Sequence, residues 1–466
     1  MKPDVSSSGP TIITATAPTP NGPLHVGHMS GPYLAADIAA RAARARGENV
    51  LTVSGLDPHQ NYVPAKAAIE GRSTGEVLDE YETLIRRALR AARVSYDVFI
   101  DPRADGGYRA AVASLLDELV ASKAAVVEEV TLARCAGCRL TLHHAHVTGG
   151  CPLCGAQSGG GTCEGCGAFT TATNLRDARC ARCGGPPSPL RAEIPLLRLE
   201  NYREALTTTW AAAALPYRVC ALMEHYLRAG LPDVPLAYPT DWGIAYGPEG
   251  QRIDVWAEMG LGLLSQVAAR FDPAAHTADG YIAAWRKAGR CWHFLGIDNA
   301  FYFGLLFPAT FAGAGMAPGW LGGLVVNEFY RLDGLKFSTS RNHAVWAHEL
   351  FTGEDPAMVR LYLCWDRPDR YESDFTPRSF NAFRNWITPA LRSGTGLPPD
   401  LAEAELTRAS EALGFAGFDP ALALRCLVGA AGAGEAPLLL AALTGEETEL
   451  TGKETELTSE ETETSR

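Results

Sequence analysis

The sequence predicts an α/β fold with a parallel sheet, interrupted by a metal-binding insertion and followed by a short helical region. Three observations carry that expectation: an early strand–helix–strand pattern, four Cys-x-x-Cys pairs between positions 135 and 183, and mostly helical patterning over 346–443. Residues 11–16 and 50–55 read as short apolar strands, and the Ala-rich stretch 28–45 reads as a helix that Gly47 stops. Strand, helix and strand at that spacing predict a right-handed βαβ unit. Helical patterns follow at 73–92 and 108–122, and again at 196–229 after the cysteine-rich stretch.

The expected organisation follows from these changes of texture. Residues 9–122 form the first half of the sheet domain and 123–240 the insertion, which has Gly runs and little apolar periodicity. Residues 241–345 complete the sheet, 346–443 form a short helical C-terminal region, and 444–466 form an acidic, disordered tail. A chain of 466 residues is long enough for two to four domains. The N-terminus has no apolar secretory segment, and no apolar run approaches the roughly 18 residues that span a bilayer. A cytoplasmic protein without a membrane partner is expected.

The formal net charge is −12, and residues 444–466 supply half of it, with eight Glu against Lys453 and Arg466. Neither the tail nor the remainder has the basic excess of a protein that holds a large polyanion by charge alone. Eight of the 12 cysteines lie in the four Cys-x-x-Cys pairs, a spacing that reads as metal ligation rather than a disulfide framework. Cys220, Cys291, Cys364 and Cys426 stand alone in apolar surroundings and read as buried thiols. His143, His144 and His146 read as solvent-facing.

Two separated motifs carry chemistry. The first is Pro20-Asn21-Gly22-Pro23-Leu24-His25-Val26-Gly27-His28, a Pro/Gly loop between a strand and a helix start. Such a loop aims backbone N–H groups at a phosphate, His25 and His28 add donors, and Gly27 permits close approach. The second is Asp333-Gly334-Leu335-Lys336-Phe337-Ser338-Thr339-Ser340-Arg341, a turn followed by a cation and hydroxyls. Lys336 suits the charge that develops when an α-phosphate is attacked and pyrophosphate departs.

Together these motifs resemble the HIGH and KMSKS signatures of class I aminoacyl-tRNA synthetases, in the right order and on either side of an insertion. Ala17–Gly22, Val255-Trp256-Ala257-Glu258 and Trp292-His293-Phe294-Leu295-Gly296-Ile297-Asp298 are similar to segments of the methionyl-tRNA synthetase family. The likeness runs from about residue 9 to 380. It implies a Rossmann-type class I synthetase sheet, an ATP-dependent, AMP-forming ligase, and ATP and Mg²⁺ as cofactors. It implies catalytic His25, His28 and Lys336, with Asn21, Gly22, Gly27, Asp298, Ser338 and Ser340 on ATP. It also implies two nested structural Zn²⁺ sites, Cys151, Cys154, Cys163 and Cys166 inside Cys135, Cys138, Cys180 and Cys183. Four thiolates make a closed tetrahedral site with no position left for catalysis.

The amino-acid pocket departs from that family. Its positions here are Ala17, Thr19, Asp57, Trp256, Glu258, Leu263, Asn299 and Phe303. Asp57 and Trp256 match the family. The family has Tyr where Thr19 stands, usually Leu at Ala17, and Ile and His at Asn299 and Phe303. So many changes predict an amino acid other than methionine. Only about 65 residues separate Phe380 from the acidic tail, too few for a long anticodon-reading domain. These departures resemble the methionyl-tRNA-synthetase-like domain of hydrazine synthetases, which esterifies an N-hydroxylated amino acid such as N6-hydroxylysine. A cupin then rearranges the ester, and since no cupin ligand cluster is evident here, a separate cupin partner is expected. The alternatives are a methionine–tRNA ligase with a reduced anticodon domain, with tRNA as partner, and a non-catalytic zinc-bearing protein. The retained His25, His28 and Lys336 weigh against the last.

Overall fold

The computed structural model describes residues 9–247, 250–337, 343–393, 397–431, 434 and 436–447. The chain divides into two compact units. The first comprises Met1–Gly22, Val53–Thr83 and Asp97–Val326, and the second Pro23–Thr52, Leu84–Tyr96 and Asn327–Arg466. The expected tail from residue 448 onward lies outside the described residues.

The strands of the central sheet are β1 (Thr11–Ala15), β2 (Val50–Gly55), β3 (Val98–Ile100), β4 (Cys291–Gly296) and β5 (Leu321–Asn327), in the order β5-β4-β1-β2-β3. β1 runs parallel to β4, with Thr14 beside His293, and β2 runs parallel to β3. Ile12 and Ile13 are both fully buried although they point to opposite faces, as expected of a sheet covered on both sides. The α/β expectation therefore holds. The helix Val255–Phe271 is pinned at its start by Asp254, whose carboxylate accepts from the Trp256 and Ala257 N–H groups at 3.0 and 3.4 Å. That cap sets where Trp256, Glu258 and Leu263 project.

The insertion departs from a sheet flanked by helices. A long antiparallel ribbon pairs Val126–Cys135 with Pro187–Arg198, and shorter strands between them carry the cysteine knuckles. Its small core consists of Ala133, Cys135, Leu142, Val147, Ala172, Leu175 and Cys180. Helical structure begins later than the expected residue 196, with a 3₁₀ turn at Leu199–Tyr202 that leads into the α-helices Arg203–Ala212 and Tyr217–Ala229. Leu196 stays in the ribbon because it pairs with Val126 on one side and Pro235 on the other.

The second unit is largely helical. Its helices include Leu34–Ala45, Pro356–Trp365, Pro377–Ser393, Pro399–Ala412, Pro420–Gly429 and Ala436–Thr444. At its centre Arg360, with no exposed surface, donates to Asp37 Oδ2 at 2.6 Å and to the carbonyls of Ala92, Leu443 and Ala442 at 2.8, 2.9 and 3.2 Å. A buried guanidinium is tolerable only when its donors are met in this way. Through it, the C-terminal helix is tied to the helix that follows His28. Cys291, Cys364 and Cys426 are buried as expected, while Cys220 is half-buried.

Candidate active site

In the second unit, the chain leaves its Pro/Gly loop at Leu24 and makes one helical turn, Val26–His28. His25 caps that turn. The His28 N–H donates to His25 Nδ1 at 3.3 Å, and the His25 N–H donates to His28 Nδ1 at 3.2 Å. The rings stack at 3.7 Å, and His25 also stacks on Phe337 at 4.4 Å. Gly27 makes room for this pile, since a Cβ there would lie 3.0 Å from the His25 ring and 3.3 Å from Phe337.

Because each Nδ1 accepts a backbone N–H, the proton of each neutral ring sits on Nε2. Burial pushes the His25 pKa well down, helped by the neighbouring His28 and the Lys336 charge. Burial also takes His28 down to about 4, although the residue keeps exposed surface. The expected backbone donors are otherwise engaged: the Val26 N–H bonds the Val345 carbonyl at 3.0 Å and the His28 N–H turns back to His25. The side chains, not those amides, are left to meet a phosphate.

Lys336 lies on a hairpin strand, Leu335–Lys336, paired antiparallel with Tyr330–Leu332. Asp333 and Gly334 form the turn, with φ of 48° and 76°. Positive φ at both central positions is what a tight two-residue hairpin turn requires, and an Asp-Gly pair supplies it. Lys336 is exposed, its ammonium 5.1 Å from the Phe329 ring. Ser338 and Ser340 lie outside the described residues.

In the first unit, Thr19 donates to Asp57 Oδ2 at 3.1 Å, and the Asp57 N–H donates to the Pro18 carbonyl at 3.0 Å. Asp57 is buried. Its pKa rises well above the carboxylate range, chiefly from burial and then from Glu258. Glu258, also buried, bonds His59 Nδ1 at 2.7 Å. Asp57 Oδ1 and Glu258 Oε2 have no hydrogen-bond partner among the described residues. Burial raises Asp298 to about 6, and Asn299 donates to it at 3.1 Å. Asn21 is held by its N–H to the Thr19 carbonyl at 2.9 Å, and Gly22 beside it is buried.

Ala17, Leu263 and Phe303 line one cavity of about 50 Å³ together with Tyr108, Met259 and Phe307. Trp256 and Asn299 do not line it; Trp256 stacks on Tyr302 at 3.7 Å. Sequence reasoning missed His59 and Asp254. His59 lies two residues after Asp57, and Asp254 sits just before an apolar helix start, so both had a local signal. His143 and His144 are buried rather than solvent-facing, because Asn61 bonds His143 and Asp254 takes His144 Nε2 at 2.6 Å. His146 is half-buried.

The eight knuckle cysteines gather as two nested sets, Cys151, Cys154, Cys163 and Cys166, and Cys135, Cys138, Cys180 and Cys183. Within each set every pair of sulfurs lies within 4.8 Å, with near contacts of 3.3 to 3.7 Å. A tetrahedral zinc site with bonds of about 2.3 Å requires sulfurs about 3.8 Å apart. Both sets fit Zn²⁺.

The family profile described as tRNA synthetases class I (M) matches residues 11–386. The chain belongs to the class I (M) tRNA synthetases. It is 31% identical over 398 residues to a methionine–tRNA ligase of Porphyromonas gingivalis, covering 80% of this chain and 55% of that protein. Against the methionine–tRNA ligase of Pyrococcus furiosus it is 29% identical over 402 residues, covering 82% and 54%. The chain thus spans about half the length of these curated relatives. A solved structure of Mycobacterium tuberculosis methionyl-tRNA synthetase in complex with methionyl-adenylate shares the fold. Its TM-score is 0.67 at 18% identity, covering 93% of this chain and 82% of that one. The sheet and its cysteine-bearing insertion are thus those of a class I (M) synthetase. Among the described residues no helix is long and apolar enough to cross a membrane.

Proposed function

We propose that this chain activates an amino acid with ATP to an aminoacyl-adenylate and passes it to the hydroxyl of a small molecule. The acceptor we favour is an N-hydroxylated amino acid such as N6-hydroxylysine. The observation that carries the activation step is the His25–His28 pair, two neutral rings with Nε2–H donors in the same unit as Lys336.

In this reading the amino-acid carboxylate attacks the α-phosphorus and the bond to pyrophosphate breaks. His25 and His28 hold phosphate oxygens and Lys336 meets the charge that develops. Ser338, Ser340, Gly27, Asn21 and Gly22 frame the nucleotide, and Asp298 takes ribose hydroxyls. Mg²⁺ arriving with ATP would offset the β- and γ-phosphate charge. The acceptor oxygen then attacks the carbonyl carbon and AMP leaves. Asp57 takes the substrate ammonium. The unpartnered Asp57 Oδ1 and Glu258 Oε2 support this, because buried carboxylate oxygens call for donors. Thr19, Trp256, Glu258 and Asn299 complete the surroundings, with Ala17, Leu263 and Phe303 bounding the side chain. Two Zn²⁺ ions would hold the insertion, and a separate cupin would consume the ester.

A second reading, methionine transfer to tRNA, is favoured by the relatives' being methionine–tRNA ligases. ATP–pyrophosphate exchange across the amino acids, followed by transfer assays with tRNA and with N6-hydroxylysine, separates the two. We expect exchange with an amino acid other than methionine and ester formation on N6-hydroxylysine. Exchange with methionine alone, with transfer to tRNA, overturns the reading.

A further inference from the structure

We propose that Tyr108 sets which amino acid is activated, as a rigid wall of the side-chain cavity in the first unit, and that this cavity takes an uncharged side chain. The inference rests on the reading that the chain activates an amino acid held by Asp57, and it assigns the specificity of that same site.

The cavity begins beside Asp57. Leu56 and Ala17 line it. They are the chain neighbours of Asp57 and of Pro18, whose carbonyl accepts the Asp57 N–H at 3.0 Å. An amino acid whose ammonium meets Asp57 therefore has this space next to its side chain.

The walls select by charge first. No Asp, Glu, Lys, Arg or His is among the described residues that line the cavity. Its polar side chains are the hydroxyls of Thr14, Ser54 and Tyr108, and Thr14 is taken by His293 at 2.6 Å. A charged side chain would lose its water here and gain no partner ion.

Two helices fix Tyr108. Its backbone lies in the first turn of Gly106–Ala121, where Asp105 Oδ1 accepts the Gly107 and Tyr108 N–H groups at 2.8 and 3.2 Å. Its side chain lies against the helix Val255–Phe271, with the hydroxyl 3.5 Å from the Glu258 carbonyl. Gly262, one turn further along, permits that approach: a Cβ there would stand 2.5 and 2.7 Å from two ring carbons of Tyr108. Glycine inside a helix is destabilising relative to alanine, and the space filled by Tyr108 accounts for its presence at 262. The ring therefore cannot retreat toward the helix when a larger side chain enters. Met259, also on the lining, is a flexible thioether that can adapt. Of the two, Tyr108 is the wall that discriminates by size.

The test is ATP–pyrophosphate exchange by the full chain with its zinc, over uncharged amino acids graded from glycine to phenylalanine, with lysine and glutamate as charged probes. We expect exchange with uncharged amino acids and none with the charged pair. Tyr108→Leu widens the space, so the kcat/KM ratio of larger to smaller substrates should rise at least about tenfold, the scale of one methylene in an apolar pocket. Gly262→Ala presses the ring off the helix and should move the ratio the opposite way. Tyr108→Phe retains the ring and should keep the wild-type order. Unchanged ratios in both Tyr108→Leu and Gly262→Ala overturn the proposal, as does a preference for lysine or glutamate. So does an equal fall for every amino acid together with a raised KM for ATP, which marks a structural role. If the ratios move as expected while wild type exchanges with methionine alone and transfers it to tRNA, the proposed function fails and the role of Tyr108 stands.

Discussion

The candidate site residues of the two units respond to burial in opposite directions. In the second unit, burial lowers His25 far below the imidazole range and takes His28 to about 4. In the first, it raises Asp57 well above the carboxylate range and Asp298 to about 6. One cause, the cost of a charge away from water, disfavours the protonated imidazoles and the ionised carboxylates alike. The histidines can then meet a phosphate as neutral donors, leaving exposed Lys336 as the positive charge among the three proposed catalytic side chains. Asp57 is poised to ionise when an ammonium arrives to share its pocket. The comparison predicts a division of labour: lesions in the second unit strike the chemical step, and lesions around Asp57 strike recognition.

The largest effect should come from Lys336→Ala, which removes that charge. We expect about a 10²- to 10³-fold fall in the rate of ATP–pyrophosphate exchange, the usual cost of losing a preorganised transition-state donor. His28→Ala should fall by a similar or smaller factor, with the KM for the amino acid little changed in either variant. Far-ultraviolet circular dichroism and the melting temperature check that the fold is retained. Wild-type turnover in both would dissolve the division. Asp57→Asn comes next. It keeps the shape and the Thr19 contact but cannot ionise, so the KM for the amino acid should rise about 10- to 100-fold while the KM for ATP stays near wild type. An equal rise in both would show that Asp57 does not read the amine.

What the sequence made legible was whatever is written locally. The His25–His28 turn, the Asp333-Gly334 turn before Lys336 and the cysteine knuckles are short patterns whose geometry follows from neighbouring residues. The nested cysteine pairing came from resemblance, and the sulfur positions agree with it. Pairings across long separations were not legible. Glu258 finds His59 199 positions away, and His144 finds Asp254 110 positions away. No local rule links them, and a His-His-Ala-His run looks like surface when read alone. The ribbon at Leu196 was lost for the same reason, since its partners on two other segments override a helical texture.

The smallest predicted effect tests burial on a histidine that we assign no part in the chemistry. His293 is fully buried on β4, its Nδ1 2.6 Å from Thr14 Oγ1, and burial lowers its pKa to about 3. Its folded value therefore lies below the unfolded value of about 6.5. Between the two the unfolded chain binds a proton that the folded chain does not, so stability is kept above pH 6.5 and lost as the pH falls toward 3. The loss from this residue is at most about 1.4 kcal/mol per pH unit. Melting temperatures of wild type and His293→Gln between pH 7 and 4.5 should show it: the variant starts lower and declines less steeply. Parallel curves would mean that His293 is protonated in the folded protein. In that case the opposite displacement of acids and bases would need a cause other than burial.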